Sequence, residues 1–378
     1  MPEKKPYDIA IIGAGIVGAA CAWECARAKL KVAVIDRGPV GGGTTAAGMG
    51  HLVVMDDSEA QFALTNYSQK LWRELARDLP ADIEYDECGT LWVAADDEEL
   101  AEARRKQEFF AKRKIPALIL DAKQLAEAEP NLRAGLAGGL RVPNDGVIYP
   151  PCAARYFLER AADRGAKTFF GSDVVAISPG EVTLKNGTKI PAGIIVNAAG
   201  PWSPELTKGI PVKPRKGHLA ITDRYPKFVR HQIVELGYLK SAHSVSSDSV
   251  AFNIQPRPTG QMLIGSSRQY GAEDTAVDHE ILGRMLARAR AYLPEIVHLS
   301  VIRVWTGHRA ATPDKLPLIG PSIANEKIWL ATGHEGLGIT TSLGTAKLLV
   351  DQLLKRKSAI PFGPYLPSRF ANPEAAHG

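Results

Sequence analysis

The chain has 378 residues, 45% hydrophobic and 23% charged, with 46 Lys and Arg against 41 Asp and Glu for a formal net charge of +5. A chain of this size and composition buries a sizeable core and divides naturally into two domains, which excludes the disordered class. Scattered, nearly balanced charge argues against nucleic-acid binding, no apolar run is long enough to span a bilayer, and the four cysteines form neither a metal-ligand pattern nor a disulfide framework, as suits a reducing cytoplasm.

Ile9 to Ile12 is a short apolar run of the kind that forms a parallel strand covered on both faces. Gly13-Ala14-Gly15-Ile16-Val17-Gly18 follows, then a helical pattern with Ile16, Ala20 and Trp23 on one side, then a second apolar run, Val32 to Ile35, that stops at Asp36. Strand, glycine-rich turn, helix, strand and acid together form a dinucleotide-binding unit. The first glycine permits the tight turn, the second lets the backbone approach a pyrophosphate, and the third lets the helix lie close to the strand. Amides at the helix start, around Ile16 and Val17, bind phosphate, while Asp36 accepts from ribose hydroxyls and disfavours a 2′-phosphate. Cys21 and Cys25, one turn apart in this helix, read as small core residues.

From Arg37 the chain runs through small residues to His51. Thr44 and Thr45 offer hydroxyls to phosphate or ribityl oxygens, and Ala46, Ala47, Gly48, Met49 and Gly50 leave room for a flat ring. From Tyr85 to Arg141, and again from Pro214 to Ser300, helical and strand-like patterns alternate, as at Gly260 to Ser267. Between these stretches, Asp145 to Pro151 leads into an amphipathic helix reaching Gly165, and Asp173-Val174-Val175 reads as a strand. Glu181 to Lys189 places two strand-like runs around an Asn-Gly turn, a hairpin signal. Ile194 to Trp202 is another apolar run ending in Ala198-Ala199-Gly200-Pro201-Trp202. The C-terminal third contains Trp305-Thr-Gly-His-Arg309 and Gly333-His334-Glu335-Gly336-Leu337-Gly338. A final helix follows, with Ile339, Leu343, Ala346, Val350 and Leu353 on one face and Lys355-Arg356-Lys357 expected as its last turn. The tail after about Phe370 reads as disordered.

Taken in order, these segments resemble the glycine oxidase and D-amino-acid dehydrogenase family of FAD-dependent amine oxidoreductases, over nearly the whole chain from Ile9 to the Pro-Phe-Gly-Pro at 361–364. The resemblance implies an α/β fold: a Rossmann-like FAD-binding domain from 1–84, 142–213 and 301–378, and a discontinuous mixed α+β substrate domain from 85–141 and 214–300. It lays the Arg37 to Met49 loop, Val174, Ala198, Gly200, Trp202, and the Gly333 to Thr340 segment with Gly336, Leu337, Gly338 and Ile339 along FAD. The final helix would point its N-terminus at the flavin pyrimidine ring. Relatives that bind flavin covalently use a cysteine near the C-terminus or a histidine before the Ala-Ala-Gly. Here the last cysteine is Cys152 and His51 follows that triplet, so non-covalent FAD is expected.

The same resemblance gives Arg309 to the substrate carboxylate, which a planar guanidinium grips through two parallel hydrogen bonds. It brings His51, His334 and Asn253 towards the flavin or substrate, offers Lys216 or His218 to the flavin edge, and leaves Arg257 and Arg268 as further polar contacts. Three departures separate the pocket from that of glycine oxidase: Asn253 stands in place of a tyrosine, Gly333 to Gly336 lacks a second arginine, and His308 and Ala310 flank Arg309. These features are similar to the subgroup containing cis-4-hydroxy-D-proline dehydrogenase, opine oxidase subunits and hydrogen cyanide synthase subunits. The implied reaction is hydride transfer from the Cα of a small amino or imino acid, D-proline or cis-4-hydroxy-D-proline first, by a dehydrogenase. The alternatives are an oxygen-using oxidase, an opine oxidase subunit, and a non-catalytic FAD-binding scaffold; a nicotinamide-linked enzyme accounts only for the first forty residues. An electron-acceptor protein or iron–sulfur subunit and an oligomeric assembly are the expected partners, with no metal site.

Overall fold

The structure is a computed structural model describing residues 6–237 and 248–371, so the tail read as disordered lies almost wholly outside the described residues. Among the described residues, two eight-stranded sheets carry the fold. In the first, Tyr7–Ile12 pairs in parallel with Val32–Ile35 on one side and Lys189–Asn197 on the other. Ile328–Thr332 extends the sheet beyond Lys189–Asn197, and Lys167–Phe169 extends it beyond Val32–Ile35. Val32–Ile35 is buried along its whole length, as a central strand covered on both faces must be. The hairpin expected around Asn186-Gly187 is present, with Glu181–Leu184 antiparallel to Lys189–Asn197.

Helix Ile16–Arg27 covers this sheet and packs against helix Pro150–Ala162, where Trp23 stacks on Phe157 with centroids 5.2 Å apart. Cys21 and Cys25 lie fully buried in that core, and burial pushes the Cys21 thiol up to about 12, so both act as packing residues. The final helix, Gly338–Leu353, also packs here, but it stops before the basic run expected as its last turn. Lys355 takes a left-handed conformation (φ 52°), with its amide donating to Gln352 and the Arg356 amide to Asp351. That reversal satisfies the last carbonyls and places the cations just past the helix end.

The second sheet runs in the order Val301–Ala311, Lys213–Thr222, Met262–Arg268, Ser249–Pro256, Gln232–Glu235, Thr90–Ala94, Gly138–Val142, Leu118–Asp121. Helix His279–Tyr292 shares a core with it. One expected boundary is corrected. Val301–Ala311 does not join the dinucleotide-binding sheet; it pairs along its length with Lys213–Thr222, setting Arg309 opposite Arg215 and Gly307 opposite Gly217. Its partly exposed first half suits the edge of an antiparallel sheet and would be wrong for a parallel strand buried on both faces. Among the described residues no helix is long and apolar enough to cross a membrane.

Candidate active site

A cavity of about 550 Å³ is lined by residues of both sheets, from the glycine-rich turn at one end to Asn253 and Arg309 at the other. The first end is built largely from backbone. Gly13 holds φ at +112°, and a Cβ there would lie 2.4 Å from the Ala198 carbonyl oxygen. At Gly18 a Cβ would fall 1.9 Å from the Gly13 carbonyl oxygen, so helix and strand approach this closely only without side chains. Asp36 ties the turn together, accepting from the Ala14 amide at 2.6 Å and from the Gly38 amide at 2.7 Å. Thr45 Oγ1 accepts from the Ile16 amide at 3.0 Å. Opposite, the Arg37 guanidinium lies over the Trp202 ring, 4.5 Å from its centroid, and Val174 lines the same region.

The middle of the cavity is closed by helix Gly43–Ala47 against the edge strand. Thr44 Oγ1 donates to the His308 carbonyl at 2.6 Å, and a Cβ on Gly307 would come 2.3 Å from that of Ala47. Gly336, Leu337, Gly338 and Ile339 form another wall, with the start of helix Gly338–Leu353 at the cavity and no side chain capping its amides. Such an end favours negative charge on a bound group.

At the far end, Arg309 Nη1 donates to the Ser267 carbonyl at 3.0 Å. A Cβ on Gly217 would lie 2.5 Å from that nitrogen, so the guanidinium occupies space that only glycine leaves. Arg215 and Arg268 line the same region around Glu335, which is ion-paired with Arg215 and 4.0 Å from Arg268 Nε. Glu335 is in the left-handed region (φ 52°), held by its amide to the Ala310 carbonyl at 2.8 Å. His51 is half-buried between Gln232 and Asn253. Burial is the main cause of its lowered pKa, aided by the Arg309 charge and opposed by the Gln232 hydrogen bond, so its imidazole is neutral.

Most residues singled out in the sequence come together along this one cavity: Gly13, Gly15, Ile16, Val17, Asp36, Arg37, Thr44, Thr45, Ala47, Gly48, Met49, His51, Val174, Ala198, Gly200, Trp202, Asn253, Arg309, Gly333, His334 and Gly336 to Ile339. Several do not meet it. Gly18 serves helix packing, Ala46 faces out, and Thr340 is a buried tie whose hydroxyl donates to the His51 carbonyl at 2.8 Å. His334 lines the wall, yet its Nε2 meets Thr345 Oγ1 at 3.0 Å inside the final helix, and burial drives its pKa down to about 3. That ring is a neutral structural group, which corrects the catalytic role expected of it. Lys216 is paired with Asp274, and His218 is held by Ser267 and the Asp278 amide, so neither lines the cavity. Arg257 is bound to Glu84 and the Ile148 carbonyl. The sequence reading missed Arg215, Gln232 and Thr90, each of which carries no motif of its own.

Comparison with known proteins bears on the family and the fold. A family model described as "DAO: FAD dependent oxidoreductase" matches residues 8–352. The chain is 28% identical to hydrogen cyanide synthase subunit HcnC of Pseudomonas aeruginosa, covering 99% of this chain and 98% of that one. It is also 28% identical to the glycine oxidase of Geobacillus kaustophilus, over 95% and 96% of the two chains. The crystal structure of glycine oxidase from that organism superposes with a TM-score of 0.87 at 27% identity, covering 97% of this chain and 99% of that one. The L-proline dehydrogenase of P. horikoshii shares the fold, with a TM-score of 0.85 at 24% identity over 97% and 98%.

Proposed function

Since the chain belongs to the DAO family of FAD-dependent oxidoreductases, we propose that it oxidises the Cα–N bond of a small amino or imino acid whose carboxylate is held by Arg309. The observation that carries this reading is the placement of Arg309. Its guanidinium stands in a slot kept open by Gly217, beside the Gly333–Gly338 wall of the cavity. The glycine cradle and uncapped helix start fit FAD, which supplies the two-electron acceptor for the Cα hydride when bound. Arg309 fixes the substrate by its carboxylate and so decides which face of Cα is presented. In this reading the amine lies towards the neutral His51 and Asn253, neither of which is a strong base, so the substrate nitrogen enters as the free amine. No cysteine lines the cavity among the described residues, and both ring nitrogens of His51 are engaged, which supports non-covalent FAD.

Within that class we favour D-proline or cis-4-hydroxy-D-proline, oxidised by a dehydrogenase that passes its electrons to an acceptor protein or iron–sulfur subunit. The support is the set of departures from glycine oxidase at Asn253, His308 and Gly333 to Gly336, and a full-length relative named as a synthase subunit. The test is anaerobic loss of the oxidised flavin absorbance with paired D- and L-amino and imino acids, followed by admission of air. Bleaching by a D-proline with slow recovery in air supports the dehydrogenase; fast recovery makes it an oxidase. Absence of bleaching by all of them overturns the small amino or imino acid reading and leaves an opine substrate, a required partner subunit or a non-catalytic FAD scaffold.

A further inference from the structure

Behind the substrate end, five side chains from separate segments form one unbroken line of hydrogen bonds: Asp145, Thr90, Gln232, His51 and Asn253. Asp145 is fully buried and lies outside the cavity, whereas the other four line it. Its carboxylate accepts from the Thr90 hydroxyl at 2.6 Å, from Gln69 Nε2 at 2.8 Å and from the Val54 amide at 3.2 Å. Burial pushes this carboxyl up to about 7; the three donors favour its charged form, with Lys106 the charged neighbour that helps.

With the Asp145 carboxylate charged, each link has only one possible direction. Thr90 spends its proton on Asp145, so its oxygen accepts from Gln232 Nε2 at 2.7 Å. The same amide nitrogen reaches the Gly146 carbonyl at 3.4 Å, a second reason that it is the nitrogen of Gln232 that turns away from His51. Gln232 Oε1 therefore faces His51 Nδ1, at 2.5 Å. A carbonyl oxygen can only accept, so Nδ1 carries the proton and Nε2 is left as a lone pair. Asn253 Nδ2 donates to that lone pair across 3.2 Å, leaving Oδ1 as the acceptor at the end of the line. That oxygen is buried and has no hydrogen-bond partner among the described residues. A buried acceptor without a partner calls for one.

We propose that Asp145 is a positioning residue for amine recognition: through Thr90 and Gln232 it holds His51 as the Nδ1–H tautomer, so that Asn253 offers Oδ1 to an N–H of the bound substrate. The proposal rests on the amine-oxidation reading above. It extends that reading by giving the site two fixed polarities, a cationic fork for the carboxylate at Arg309 and a neutral acceptor for the nitrogen. An N–H on the substrate is then recognised, and a hydroxy acid presenting its O–H to the same oxygen would have to match the direction set for nitrogen.

The test uses the FAD-bound protein at pH 8, where Asp145 is ionised, and compares Thr90→Val, which removes the hydroxyl link at similar size, with Thr90→Ser, which keeps it. In ¹⁵N-histidine-labelled protein, with the His51 signals identified by their loss in His51→Gln, wild type and Thr90→Ser should show a protonated Nδ1 and a bare Nε2. Thr90→Val should show the other tautomer or a mixture. KM for the amine should rise about tenfold in Thr90→Val relative to Thr90→Ser, the worth of one hydrogen bond, with kcat changing less. Asp145→Asn keeps the shape and can donate to Thr90, so it provides a second break in the line and should give the same two shifts. An unchanged tautomer, or equal KM values in the Val and Ser variants, overturns the proposal. If no amine reduces the wild-type flavin, the amine reading itself has failed, and the recognition role falls with it even where the tautomer responds as expected.

Discussion

The two ends of the cavity are built by different means. At the nucleotide end, shape comes from missing side chains: a Cβ at Gly13 or Gly18 would collide with backbone oxygen, and Asp36 and Thr45 spend their oxygens on the amides of the turn. At the substrate end, shape comes from side chains. Arg309, Arg215, Glu335, His51, Gln232 and Asn253 arrive from different strands and loops and hold one another. Backbone construction resists change because every alternative residue adds atoms where none fit. Side-chain construction is easily varied, since a new residue alters one contact and leaves the sheet intact. A family that keeps one cofactor and changes substrates needs this division.

The sharpest way to break the comparison is to put a side chain into the backbone-built end. Gly18→Val sets branched carbon where a Cβ alone would be 1.9 Å from the Gly13 carbonyl oxygen, so helix and turn must separate. The expected outcome is protein that either fails to accumulate or purifies without flavin colour. A yellow, folded Gly18→Val variant would show that the turn tolerates far more than its geometry implies. Arg309→Ala probes the other end. It should keep FAD and fold while losing about 2–5 kcal/mol of transition-state binding, roughly 30- to 5,000-fold in kcat/KM. Wild-type kcat/KM in this variant would remove the carboxylate clamp.

How much of each end could be read from the sequence follows from the same division. The nucleotide end is local: strand, turn, helix and acid lie between Ile9 and Asp36, and each glycine answers a steric need that is visible in the order of residues. The substrate end is not. Thr90, Asp145 and Gln232 lie 55 to 142 positions apart along the chain, and Asp145 reads from sequence as part of a turn before an amphipathic helix. His334 illustrates the opposite error. It lines the cavity, but its ring turns inward to Thr345, and nothing in the order of residues tells which way a ring will turn. Likewise the order of residues groups Val301–Ala311 with the chain segments that follow it, whereas its ladder to Lys213–Thr222 is set by pairing across some ninety residues.

At Gly217 the two modes of construction meet, since its absent side chain makes room for a functional side chain. Gly217→Ala should leave FAD binding intact, because no cofactor-end contact is altered. The added carbon, 2.5 Å from Arg309 Nη1, must displace the guanidinium, and a misplacement near 1 Å costs on the order of 10²-fold in rate. The loss should appear in kcat/KM and be much smaller in an Arg309→Ala background, where only the Ser267 carbonyl oxygen, 2.9 Å from the added carbon, is left to be moved. Equal losses in both backgrounds would show that Gly217 matters for the strand and not for the arginine.

The smallest expected effect is thermodynamic and belongs to Asp145. Burial raises its carboxyl from an ordinary value near 3.8 to about 7 in the folded chain. Between those values the native state keeps a proton that the unfolded chain has released, so this group's contribution to stability falls as pH rises. The slope cannot exceed about 1.4 kcal/mol per pH unit for one proton. Asp145→Asn has no proton to lose, so the stability difference between variant and wild type, from urea unfolding of the FAD-bound proteins, should grow in the variant's favour from pH 5 to pH 7 and level off above. A difference independent of pH would mean that the carboxyl titrates in its ordinary range and is better solvated than its surroundings indicate. A growing difference would show that the protein keeps an ionised carboxylate there at a cost to stability, the behaviour expected of a group retained to orient Thr90 and, through it, the amine end of the site.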